Sequence, residues 1–222
     1  MKIVAMADMQ GRFWDIPQAR LPSADLLLIA GDETNLGSIQ ENYSLDMWLG
    51  TLPYKHKLLV GGNHSLGLAR NISGHTFFRE CVYLQDELTG VNGLRIYGTP
   101  ANNCGPYAKY WEFCNPRYTQ RAYENIPECD ILIVHGCPYG ILDETVAGDH
   151  IGDEILLKRI QEIKPKLVVF GHCHESYGTT VVDGVTYVNA ALCDERNNIV
   201  DGKGDLLHKP FTVDTETWEV AT

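Results

Sequence analysis

The chain has 222 residues, 44% of them hydrophobic and 21% charged, the composition of a globular domain with a sizeable core rather than of a disordered or fibrous chain. Its 18 basic residues stand against 29 acidic ones, a formal charge of −11. Gripping long nucleic acid needs the opposite balance, so a polynucleotide partner is not expected.

From the N-terminus, Lys2 opens a run whose residues 3–7 are apolar and meet Asp8 too early for the apolar core of a secretory signal. No apolar run approaches the about 20 residues of a membrane span, so the chain is expected to start at Met1, to have no membrane partner and to act in the cytoplasm. Short runs rich in Val, Ile and Leu follow at 26–30, 57–60, 131–134 and 167–170, each ending abruptly in glycine or a polar residue. Such runs suit strands buried on both faces.

Helical signals lie between them. Ser38 and Glu41 form a capping box ahead of Leu45, Trp48 and Leu49; Asn115-Pro116 can open a helix through Glu124; residues 152–163 space Ile155, Leu156, Ile160 and Ile163 helically before Pro165. Val181 to Val188 reads as a hairpin turned by Asp183-Gly184. The order predicts one α/β domain over residues 1–222, two mixed β-sheets sandwiched between helices. The seven cysteines, Cys81, Cys104, Cys114, Cys129, Cys137, Cys173 and Cys193, contain no Cys-x-x-Cys pair and are expected as free thiols. Cys173, between two histidines, is expected to be buried rather than ligating.

Asp8, Gln10, Asp32, Asn63, His64, His135, His172 and His174 follow the predicted strands. Singly, each reads as a cap, a turn residue or a solvated side chain. Together, oxygen and imidazole donors at five strand ends are the mix that holds a catalytic divalent ion. Arg12 could reach a phosphate oxygen from its place two residues past Gln10, or simply be solvated. Tyr107, Tyr110, Trp111 and Phe113 could line the site from residues 101–116, with at least half of these rings expected in the core. His56, His75, His150 and His208 are assigned no role.

The order Asp8-x-Gln10, Gly31-Asp32, Gly62-Asn63-His64, His135 and Gly171-His172-x-His174 resembles the successive motifs of the calcineurin-like metallophosphoesterases, over nearly the whole chain. Trp48-Leu49-Gly50-Thr51-Leu52-Pro53, Tyr83-Leu84-Gln85-Asp86, Arg95-Ile96-Tyr97-Gly98-Thr99-Pro100 and Tyr187-Val188-Asn189-Ala190 resemble the subgroup of metallophosphoesterase-domain-containing proteins. The resemblance implies the four-layer fold and two divalent ions, Mn²⁺ first, with Fe²⁺, Zn²⁺, Co²⁺ or Ni²⁺ as alternatives. Asp32 would bridge them; Asp8, Gln10 and His174 would complete the first site, and Asn63, His135 and His172 the second. A metal-bridging hydroxide would attack a small nucleotide-type phosphodiester, with His64 assisting catalysis and Arg12 contacting substrate. The family pattern is Asp-x-His where this chain has Gln10, a weaker donor to transition ions. A broad phosphomonoesterase and a nucleotide-binding module with little turnover are the competing expectations.

Overall fold

The computed structural model describes residues 1–70 and 73–222. The apolar runs become the middle strands of two sheets. In the first, β1 (Lys2–Met6), β2 (Leu26–Ala30), β3 (His56–Val60) and β4 (Val82–Tyr83) run parallel, and β11 (Phe211–Asp214) and β12 (Val220–Ala221) extend it antiparallel beyond β1. In the second, β6 (Leu94–Thr99), β7 (Ile131–Val134), β8 (Leu167–Phe170) and β10 (Val185–Asn189) are parallel, flanked by antiparallel β5 (Glu87–Val91) and β9 (Gly178–Val182).

Alternate side chains of each strand serve different layers. Ile3, Ala5, Leu26, Leu28, Ile131, Ile133, Leu167 and Val169 fill the space between the sheets. Val4, Met6, Leu27 and Ile29 face α1 (Ile39–Thr51), which supplies Leu45, Trp48 and Leu49. Two short helices, α2 (Leu66–Arg70) and α3 (Gly74–Phe77), lie between β3 and β4 in the chain. Leu132, Val134, Val168 and Phe170 pack against α4 (Pro116–Glu124) and α5 (Glu154–Ile163) through Ala122, Tyr123, Leu156 and Ile160. The result is the predicted helix–sheet–sheet–helix sandwich. Because both faces of these strands are apolar, the in/out pattern alone does not fix register. The polar strand ends do, since a slip would drag Asp8 or Asp32 into an apolar layer at a cost of several kcal/mol, roughly the penalty of an unpaired buried charge.

The expected caps are present: Ser38 Oγ accepts from Glu41 N–H while Glu41 accepts from Ser38 N–H, and Asn115 caps α4. Asp153 caps α5, which ends on left-handed Lys164 before Pro165. Asp183 and Gly184 turn the β9–β10 hairpin with φ of +52° and +80°. No described helix is long and apolar enough to cross a membrane.

One expectation is corrected. Cys104 and Cys114 are joined in a disulfide across ten residues of sequence, with Cα atoms 5.5 Å apart, while Cys81, Cys129, Cys137, Cys173 and Cys193 are free. The segment between β6 and α4 folds back on itself, with Asn102 N–H donating to the Phe113 carbonyl. That return brings together two cysteines whose sequence spacing carries no pairing signal. Cys173 is buried, as expected.

Candidate metal centre

The carboxyl ends of β1, β2, β3, β7 and β8 meet at one edge of the sandwich, where open α/β sheets place their ligand sites. Asp8 and Gln10 follow β1, Asp32 follows β2, Asn63 and His64 follow β3, His135 ends β7, and His172 and His174 follow β8. Backbone bonds tie the loops to one another: Asp8 N–H donates to the Gly31 carbonyl, Gln10 N–H to Asp32, and Gly171 N–H to His135. Four of the expected ligands, Asp8, Gln10, Asp32 and His172, take left-handed backbone, with φ of +52°, +47°, +48° and +70°. Each such non-glycine residue costs on the order of 1 kcal/mol, and together these turns aim the side chains inward.

Two glycines make the close approach possible. A Cβ on Gly62 would fall on Asp32 Oδ1, and one on Gly171 would fall on Asp8 Oδ2. The peptide N–H of His64 instead donates to Asp32 Oδ1 at 2.8 Å, and that of His172 to Asp8 Oδ2 at 2.9 Å. Each carboxylate thus has one oxygen held by backbone and the other directed into the cluster.

Three imidazoles share one arrangement. Nδ1 of His64 contacts the Asn35 carbonyl at 2.7 Å, that of His135 the Ala30 carbonyl at 2.9 Å, and that of His174 the Asp194 carbonyl at 3.0 Å. A carbonyl only accepts, so Nδ1 carries the proton and Nε2 is the nitrogen offered to the site, as for a metal-ligating histidine. Nε2 of His135 lies 3.3 Å from Asp32 Oδ2 and 3.0 Å from Asn63 Oδ1; Nε2 of His174 lies 3.3 Å from Asp8 Oδ1. Ligand atoms of Asp32, His135 and His172 all lie within 4.8 Å of one another.

The electrostatics fit a cation site. Desolvation opposes charge on His135, but the Asp32 carboxylate outweighs it and lifts the imidazole to about 9. His174 is likewise raised against its burial, to about 9, by Asp8. For Asp32, burial is outweighed by His135 and His64, which hold the carboxyl well below its usual range. His172, desolvated and beside His135, is lowered to about 4 and is neutral. Protonated imidazoles here supply the positive charge that the carboxylates demand. Two buried acceptors of the cluster have no hydrogen bond, Asp8 Oδ1, which faces the His174 imidazole as an ion pair at 3.3 Å, and Gln10 Oε1. Such orphans are rare in a folded interior, and both are oxygen donors of the kind a divalent cation takes.

Gln10 is buried, its Nε2 3.3 Å from Asp32 Oδ2, so the structure brings it to the cluster with the other expected ligands. Asn63 is oriented by a residue that sequence reading passed over, Asn102, whose Nδ2 donates to Asn63 Oδ1 at 3.0 Å. Glu33, also unforeseen, is fully buried, accepts from Ser65 Oγ at 2.9 Å and is pushed up by desolvation to about 7.

A cavity of about 410 Å³ opens beside the cluster, lined by Asn63 and His172 and by Tyr107, Trp111 and His150. The Trp111 ring lies 4.3 Å from that of His64. Of the four aromatic residues of this segment only Phe113 is buried, while Tyr107 and Tyr110 are exposed, so the expectation that at least half would be core is corrected. Arg12 does not line this cavity; it pairs with Asp15 at 2.8 Å and donates to the Asn197 carbonyl at 3.2 Å. His150 does line it, which its sequence context did not signal. A wider groove of about 930 Å³ lies at the other ends of the strands, near Lys2, Lys166 and Trp218, away from these ligands.

The family profile described as calcineurin-like phosphoesterase matches residues 1–176. Metallophosphoesterase domain-containing protein 1 of Homo sapiens is 35% identical over 203 residues, a match spanning 78% of this chain and 61% of that protein. The chain thus spans about 61% of the length of that curated relative. UPF0046 protein C25E10.12 of Caenorhabditis elegans is 32% identical over 198 residues, spanning 79% of this chain and 70% of that one. Among solved structures, TT1561 of Thermus thermophilus superposes with a TM-score of 0.60 at 14% identity, covering 99% and 96% of the two chains. Phosphopantetheinyl hydrolase of Mycobacterium tuberculosis gives 0.58 at 15% identity, covering 88% and 90%. At such identities the likeness is one of fold.

Proposed function

The chain belongs to the calcineurin-like phosphoesterase family, and from that premise we propose that it is a metal-dependent phosphodiesterase acting on small nucleotide-type esters. The observation that carries the reading is the buried, unpartnered Gln10 Oε1 in a cluster where the Nε2 atoms of His135 and His174 lie 3.3 Å from Asp32 Oδ2 and Asp8 Oδ1.

On this reading Asp8, Gln10, Asp32 and His174 would hold one divalent cation and Asp32, Asn63, His135 and His172 a second, Mn²⁺ foremost. When bound, such cations acidify a water and offset phosphoryl charge. Asn63 contributes a neutral oxygen and so adds no charge to repel a phosphate. His64, its Nδ1 proton engaged by the Asn35 carbonyl, leaves Nε2 as the ring nitrogen that, in the imidazolium form, would donate to a phosphoryl oxygen or hand a proton to the leaving oxygen. Trp111, against His64, offers a flat apolar face for a nucleobase.

The test is turnover of bis(4-nitrophenyl) phosphate beside 4-nitrophenyl phosphate, on chelator-stripped protein reloaded with Mn²⁺, Co²⁺ or Ni²⁺. Diester turnover that vanishes on stripping and returns with metal supports the proposal. Full-rate hydrolysis by stripped protein refutes it. A second reading, a nucleotide-binding module, draws on the weaker amide donor at position 10, and tight nucleotide binding without turnover at any metal concentration would favour it. A preference for the monoester would mark a phosphomonoesterase.

A further inference from the structure

The cavity lining includes His150, one member of a His–Asp pair that the proposed chemistry does not use. His150 Nδ1 lies 2.7 Å from Asp143 Oδ1. The Asp143 side chain is 1% exposed and that of His150 41%. The other Asp143 oxygen accepts from the N–H groups of Gly140 and Gly152, each at 3.0 Å, and Asp143 C=O accepts from Ile151 N–H at 3.1 Å. The carboxylate is therefore the organising centre of the loop. Nδ1 of His150 carries the proton shared with it, which leaves Nε2 as the free ring nitrogen.

Two further facts define what that nitrogen meets. Among the described residues, those lining the cavity include no Lys or Arg, and the chain as a whole is acidic. His172, the other lining imidazole, is one of the expected metal ligands. Asp143, first through its hydrogen bond and then through its charge, favours the protonated form of His150; Glu144 adds to this, and the Tyr139 ring packs 5.5 Å away. Among the described lining residues, His150 is thus the side chain best placed to carry positive charge in a cavity whose inner end is made of metal-type ligands.

We propose that His150, braced by Asp143, binds a second phosphate of the substrate, so that the preferred substrates are phosphoesters carrying another phosphate group besides the one that reacts. The inference rests on the phosphoesterase reading of the same cavity. It concerns binding, so it is testable without turnover.

The experiment is calorimetric titration of the Mn²⁺-loaded chain with alkane diphosphonates of one to four spacer carbons, and with the matching alkyl monophosphonates. At least one diphosphonate should bind about fivefold or more tighter than its monophosphonate, the worth of a partly exposed charge pair. His150→Gln should erase that advantage selectively, and His150→Lys should restore part of it. No advantage in the unmodified chain, or an advantage that survives His150→Gln, overturns the proposal. Hydrolysis of bis(4-nitrophenyl) phosphate by the same samples separates the two readings. An advantage lost in His150→Gln by a chain without turnover upholds the anchor and refutes the enzyme. Turnover with an advantage indifferent to His150 refutes the anchor alone.

Discussion

Gln10→His tests the centre most directly, because it changes one donor and leaves its place unchanged. The residue is 7% exposed, its backbone sits at φ +47°, and its Nε2 is 3.3 Å from Asp32 Oδ2 while Oε1 has no partner. Histidine is among the residues that tolerate left-handed backbone, so the loop need not rearrange. In metal-free protein the substitution removes a hydrogen bond to a carboxylate, worth about 1.5–3 kcal/mol, and the melting temperature should fall. With Co²⁺ or Zn²⁺ present, an imidazole in place of an amide oxygen should tighten the first site. A tenfold gain corresponds to about 1.4 kcal/mol, which adds to folding stability at saturating metal. At about 2–4 °C per kcal/mol for a chain of this size, the extra metal-induced shift is about 3–6 °C. Thermal melts of both proteins across a metal titration, with chelator as the zero point, give the comparison. Equal metal-induced shifts in the two proteins would refute a ligand at position 10.

The remaining predictions concern the same loops. Gly62→Ala and Gly171→Ala place a methyl group on the carboxylates of Asp32 and Asp8, so each should lower metal content per chain while leaving the far-ultraviolet circular dichroism unchanged; full metal content would show that those carboxylates are not ligands. His135 and His174, both raised to about 9, keep protons in the metal-free chain that a metal must displace. Apparent metal affinity should therefore climb as pH rises from about 6.5 toward 9, with proton release on binding; pH-indifferent uptake would exclude both as ligands. His64→Ala should cut diester turnover by about 10²-fold or more with metal content intact, and loss of metal would make His64 a ligand instead.

Much of the architecture was legible because the middle strands are buried on both faces. Continuous apolar runs such as 26–30 and 131–134 need no alternation to be recognised, and the polar residues that stop them are the ones that converge. Hairpin and helix starts were legible where a turn or cap has few chemical solutions, as at Asp183-Gly184 and Ser38. The edges were not. β4 and β12 have two residues each, too few for a period to register, and β5 is mostly exposed. Pairings set by tertiary folding were equally hidden. Nothing near Cys104 announces Cys114, nothing around His150 marks Asp143 as its partner, and Arg12 gave no sign that Asp15 and the Asn197 carbonyl would claim its guanidinium. Residue type and order pointed to the side chains that converge at the strand ends; for the cavity wall, only the folded backbone brings its members together.

The left-handed turns at Asp8, Gln10, Asp32 and His172 set heat resistance and chemistry against each other. Glycine would relieve on the order of 1 kcal/mol of backbone strain at any of the four positions, but at Asp8, Asp32 and Gln10 it would also delete charge-assisted bonds worth about 1.5–3 kcal/mol each, so a net gain is expected only at His172, where an expected ligand goes with it. Selection of random variants for thermal resistance alone should therefore enrich glycine at position 172, and survivors of that kind should bind metal less well. Selection that also requires metal retention should keep the strained residues and find its gains elsewhere in the chain. The strain, held in place by neighbouring loops rather than by the side chains themselves, also makes position 10 a place where donors can be exchanged during evolution without rebuilding the turn. A change of preferred metal is then reachable through a single codon.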